Sequence, residues 1–130
     1  MYVRRFYINM TLDSGGAANG YTSDACNGLL QSIAVRAGFA GTTAIASSLK
    51  LFRERSSGTT ELAVFRLTGP SSTWKEYFPR ADVRYSSGVA TTGKSTQLGA
   101  CYALDDRIYG VFASSSGLGG KSLIIELSII

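Results

Sequence analysis

Fifteen glycines divide this 130-residue chain into short stretches, and within those stretches apolar residues fall on every second position. Period two is the spacing of a strand with one face in a core, because successive side chains leave a strand on opposite sides. The clearest runs stand near the two ends. Phe6, Ile8, Met10 and Leu12 alternate with Arg5, Tyr7, Asn9 and Thr11. Leu123, Ile125, Leu127 and Ile129 alternate in the same way near the other end. No stretch carries the three-to-four spacing of a long amphipathic helix.

Further strands are expected between those runs. Residues 29–37 place Leu29, Ile33 and Val35 on one face, with Gln31 among them. Residues 49–55 set Leu49, Leu51 and Arg53 against Lys50, Phe52 and Glu54. Residues 61–67 set Leu62 and Val64 against Ala63, Phe65 and Leu67, and the turn Ser56-Ser57-Gly58-Thr59 joins these two strands as a hairpin. Residues 107–113 and 122–129 form the last two strands, with Gly117, Gly119 and Gly120 in a hairpin loop between them. Residues 13–24 include Gly15, Gly16, Ala17, Ala18, Asn19 and Gly20, which cannot pack a core, and read as a mobile loop. Residues 38–48 and 86–99 also read as loops.

The stretch 74–85 interleaves Trp74, Tyr77, Phe78 and Tyr85 with Lys75, Glu76, Arg80, Asp82 and Arg84. Pro79 cannot donate to a ladder, which places this stretch at a sheet edge or in a crossover. The sum is an all-β chain: a small β-sandwich or jelly-roll-like barrel of about six to eight antiparallel strands with glycine-rich loops, one domain over residues 1–130. Its predicted core contains Ile8, Met10, Ile33, Leu51, Val64, Ile108, Phe112, Leu123 and Ile125.

The composition offers little chemistry. Histidine is absent, which removes the commonest general base and the commonest metal ligand. Cys26 and Cys101 are far apart, neither has a CxxC partner, and both read as small core residues. Asp105-Asp106 reads as a turn before a strand, because adjacent strand residues point to opposite faces. Residues 88–95, Gly88-Val89-Ala90-Thr91-Thr92-Gly93-Lys94-Ser95, match the GxxxxGK[ST] phosphate loop literally. That loop requires a buried parallel strand before it and a helix after it. The flanking residues supply neither, so the match reads as a small-residue loop. No metal, no cofactor and no catalysis are expected.

The net charge of +4 suits an acidic protein surface as well as it suits nucleic acid. Nucleic-acid binding is not expected, since the basic residues are spread along the chain. No run approaches the ~20 apolar residues of a membrane span, and residues 1–13 lack the apolar stretch of a signal peptide. Synthesis in a reducing cytoplasm is expected.

Three groups of residues carry a resemblance. They are Gly20-Tyr21-Thr22-Ser23 before Asn27-Gly28-Leu29-Leu30-Gln31-Ser32-Ile33, then Phe78-Pro79-Arg80-Ala81, then Asp106-Arg107-Ile108 leading through a glycine-rich turn to the last strand. In this order they resemble a family of small accessory proteins of tailed bacteriophage virions, of the kind that decorate or cement the capsid shell. The resemblance implies a structural virion protein that decorates or cements the major capsid shell; action as a homo-oligomer, a trimer, is expected beside it. It implies no catalytic residue. The residues expected to meet the partner are Arg4, Arg5, Trp74, Tyr77, Arg80 and Arg84. The alternative is a carbohydrate- or receptor-binding sandwich of a fibre or tail component, with Trp74 and Tyr77 as its sugar platform. A head–tail or nucleic-acid-binding module stands third.

Overall fold

The alternation near the two ends builds one sheet. In the computed structural model, which describes residues 2–39, 47–54, 63–82, 99–114 and 119–130, strand β1 (Arg4–Thr11) lies antiparallel to β11 (Ser122–Ile129). Ile8 stands opposite Ile125, and Met10 opposite Leu123. Strand β3 (Cys26–Ala37) pairs with the other side of β11, and Val35 stands opposite Ile125. The outer flank of β3 takes two short strands, β6 (Lys75–Tyr77) and β9 (Ala103–Asp106). This is the five-stranded sheet.

The second sheet has four strands in the order β2 (Ala17–Tyr21), β10 (Ile108–Ser114), β4 (Ser47–Arg53) and β5 (Phe65–Thr68). A separate two-stranded ribbon pairs β7 (Ala81–Asp82) with β8 (Gly99–Ala100). All these pairings are antiparallel, and no α-helix occurs among the described residues.

The two sheets pack as a β-sandwich around a shared apolar core. Ile8, Leu30, Ile33, Leu51, Ile108, Phe112, Leu123 and Ile125 are fully buried in it, and Met10 and Val64 nearly so. Each fully buried Leu, Ile or Phe side chain contributes about 1.5–3 kcal/mol relative to leaving it in water. Every residue of the predicted core is buried. The stretch 74–77 lies at a sheet edge, as Pro79 requires, and β4 and β5 form the expected antiparallel pair.

Five features differ from the sequence reading. Residues 17–21 are a strand. Asp13 shapes the turn before it: its Oδ1 accepts from the N–H groups of Gly15 (2.9 Å) and Ala17 (3.0 Å). The strand then pairs with β10 from Ala17 to Tyr21. Leu29 is exposed and Leu30 buried, because a bulge interrupts β3. Ser128 stands opposite Ser32 and Ile129 opposite Leu30, so Gln31 is the extra residue and the inward parity changes there.

Phe52 is buried although Leu49 and Leu51 occupy the other face of β4. Asp105 and Asp106 lie in β9, opposite Asn27 and Cys26, rather than in a turn. The connection from β10 to β11 crosses between the sheets and is not a hairpin loop. The turn at 56–59, residues 61–62, the loop 88–95, Gly117 and Arg84 lie outside the described residues.

Candidate docking face on the five-stranded sheet

The ladder register sorts the outward side chains of the five-stranded sheet into rows. Arg5 lies beside Ser128. The next row reads Tyr7, Glu126, Ala34 and Glu76 across four strands. The row after that reads Asn9, Ile124 and Arg36. Val35 pairs with Lys75, so one further step brings Trp74 beside Arg36. The Arg36 guanidinium carbon sits 5.2 Å from the centroid of the Trp74 ring, a cation–π contact. Trp74 remains 45% exposed.

Glu126 is the electrostatic centre of this face. Arg5 Nε lies 3.4 Å from Glu126 Oε1. Tyr7 stands opposite the same carboxylate, and the hydrogen-bonding influence of Glu126 raises the Tyr7 pKa above its ordinary value. Desolvation and the charge of Glu126 push the same way, and Arg5 pulls against them. Between Arg5, Glu126, Glu76 and Trp74 the surface is a shallow depression.

The structure brings Arg5 and Trp74 onto one face and sends Arg4, Tyr77 and Arg80 elsewhere, while Arg84 lies outside the described residues. Arg4 donates to the Asn27 carbonyl and lies over Phe6, its guanidinium carbon 5.9 Å from the ring centroid. Tyr77 is three residues from Trp74, so it turns inward, with its ring 5.3 Å from that of Phe65. The two therefore do not form one platform. Arg80 donates to the carbonyls of Gln31 (3.1 Å) and Pro79 (2.8 Å), which braces the bulge in β3. Tyr7, Arg36, Glu76 and Glu126 belong to the face and were not anticipated. Parity along β1 and β11 carried the signal for Tyr7 and Glu126.

A second cluster stands on the four-stranded sheet. Tyr21 and Tyr109 stack at 4.6 Å, and the Arg107 guanidinium carbon lies 4.6 Å from the Tyr21 ring centroid. Arg107 forks onto Glu54, with Nε 3.0 Å from Oε2 and the terminal nitrogen on Oε1. The hydrogen bond from Arg107 holds the Glu54 carboxyl below the usual carboxylate range and raises Arg107 in turn. These groups satisfy one another, and the cluster fastens β2 and β10 to the end of β4.

Cys26 is buried, and desolvation pushes its thiol up, away from the reactive thiolate. Cys26 and Cys101 are both free thiols. Among the described residues, no three Cys, Asp or Glu side chains gather as a metal site would need. Comparison with protein-family models, with curated proteins and with solved structures finds no match.

Proposed function

We propose that this chain is a structural protein of a tailed-phage virion that binds and stabilises the capsid shell as a cement or decoration protein. The outer face of the five-stranded sheet is the surface that docks on the major capsid protein. The observation that carries this reading is the Arg36–Trp74 pair standing beside the Arg5–Glu126 bridge on one in-register sheet.

Trp, Tyr and Arg supply much of the binding energy at protein interfaces. A guanidinium held over an indole offers two such groups in a fixed arrangement, and less side-chain freedom is lost on docking. Arg5 and Arg36 suit carboxylates on the partner. The net charge of +4 favours approach to an acidic surface. Repetition on a lattice turns modest single contacts into firm attachment.

The test is to add the purified protein back to capsids that lack it, measuring co-sedimentation and the temperature of rupture. The wild type should bind and raise that temperature. Trp74→Ala should keep its fold and weaken binding by about 2 kcal/mol, roughly 30-fold, as for an interface anchor. Arg36→Glu should weaken it as well. Wild-type affinity in both variants would remove this face from the reading. Binding to a host polysaccharide through Trp74, with none to capsids, would replace the reading by the receptor-binding alternative.

A further inference from the structure

β1 is the outermost strand of its sheet, and β11 is its ladder partner. The Leu12 N–H donates to the Lys121 carbonyl at 2.9 Å, one step beyond the Thr11–Ser122 pair. Antiparallel ladders alternate between hydrogen-bonded and non-hydrogen-bonded pairs. The even residues of β1 therefore bond to β11, and the odd ones turn their N–H and C=O away from it. Among the described residues, the outward backbone groups of Arg5, Tyr7 and Asn9 meet no backbone partner.

Strand β2 comes close at one end only. The Asp13 N–H donates to the Ala17 carbonyl across the turn. A side chain built on Gly20 would reach the Asn9 carbonyl oxygen at 3.8 Å. Towards Arg5 the edge opens into a groove walled by Phe6, Tyr7, Tyr21 and Asp24. Phe6 belongs to the core face yet is only half-buried beside this opening.

We infer that this edge pairs antiparallel with the same edge of a second copy, about a two-fold axis at Phe6, so that two five-stranded sheets become one continuous sheet. Charge and space select that centre. An axis at Arg5 would set two arginines directly opposite, which is destabilising. An axis nearer Met10 would bring the second copy against β2 where it approaches Asn9. With the axis at Phe6, Arg5 of each copy stands opposite Tyr7 of the other, whose own ladder partner is Glu126. Each row then runs Glu126, Tyr7, Arg5, Ser128 across the junction, with acid and base on opposite sides. The two Phe6 residues form a non-hydrogen-bonded pair, the closest kind across antiparallel strands, and complete each other's burial. This association belongs to the free protein, does not depend on the capsid reading, and gives a dimer in place of the expected trimer.

Analytical ultracentrifugation of the wild type, Tyr7→Pro and Tyr7→Ala tests it. Proline at position 7 removes an N–H that meets no backbone partner among the described residues and that the junction would use, and an edge strand tolerates proline on its open side. Alanine keeps that N–H and removes only the side chain. The wild type and Tyr7→Ala should sediment as dimers, and Tyr7→Pro as a monomer with unchanged circular dichroism. In the wild type, amide exchange at Arg5 and Tyr7 should slow as concentration rises. A monomeric or trimeric wild type, or a dimeric Tyr7→Pro, overturns the inference. If Tyr7→Pro does not fold, exchange at Arg5 and Tyr7 that ignores concentration overturns it equally.

Discussion

Gly20 and Gly110 stand opposite each other across the β2–β10 ladder, and the space their missing side chains leave is filled by Ile8 and Met10 of the facing sheet. A Cβ on Gly20 would lie 3.1 Å from Ile8 Cγ2 and 3.3 Å from Met10 Cγ. One on Gly110 would lie 3.1 Å from Leu51 Cδ2 and 3.6 Å from Met10 Cε. The pair sets how closely β2 approaches β1. Gly110→Val should therefore overpack the core and cost about 1–3 kcal/mol, read as a lower midpoint in urea. An unchanged midpoint would mean that the sheets separate freely at this point.

Ile125 is the middle of the core on β11, flanked by Ile8 and Val35 and fully buried. Ile125→Ala should cost about 2–5 kcal/mol, since the lost transfer energy and the remaining cavity add. Chemical denaturation measures it. A loss below that range would show that the neighbours collapse into the space.

Gly28 has φ +135°, where L side chains are strained, and a Cβ there would stand 2.3 Å from the Ile130 carbonyl oxygen. That oxygen accepts the Leu29 N–H at 2.9 Å. Gly28→Ala should break this tie between β3 and the residue after β11, costing at least about 1 kcal/mol. Faster amide exchange at Leu29 and Ile130 would mark the site of the damage.

Arg107 holds the Glu54 carboxyl below its ordinary range. A group whose folded pKa is depressed contributes stability that is present above its unfolded value, about 4.3 for glutamate, and lost as pH falls through the folded value. The wild type should lose this contribution on acidification below the ordinary carboxylate range, and Glu54→Gln should show a flatter acid limb. Urea midpoints across that pH range compare the two. Parallel acid limbs would assign the loss to other carboxylates.

The strands with large alternating side chains could be read directly. β1 and β11 announce both their existence and their buried faces, and the inward parity of Ile33 and Val35 is right. β2 could not be found that way, because Ala17, Ala18 and Gly20 carry no apolar bulk. What makes them a strand is the ladder offered by β10, which comes much later in the chain. The Gln31 bulge is equally a property of the partner, since only the β11 register shows where one residue is spare. The separation of Trp74 from Tyr77 was within reach: an odd spacing on a strand sends two side chains to opposite faces. Arg36 joins Trp74 only once β6 is known to lie along β3.

The five-stranded sheet is assembled out of sequence order. β11 lies between β1 and β3, yet it is synthesised after the other ten described strands. Until it emerges from the ribosome, β1 has no ladder partner among the described strands, and Ile8, Met10 and Ile33 lack their β11 neighbours Ile125, Leu123 and Leu127. Closing such long loops is slow, on the order of milliseconds to seconds for β-sandwiches. A nascent chain halted at Ser114 should remain unfolded however long it waits, with apolar strands open to other nascent chains. For the proposed virion role, which needs many copies, the yield of usable subunits then depends on how quickly the ribosome delivers that closing strand.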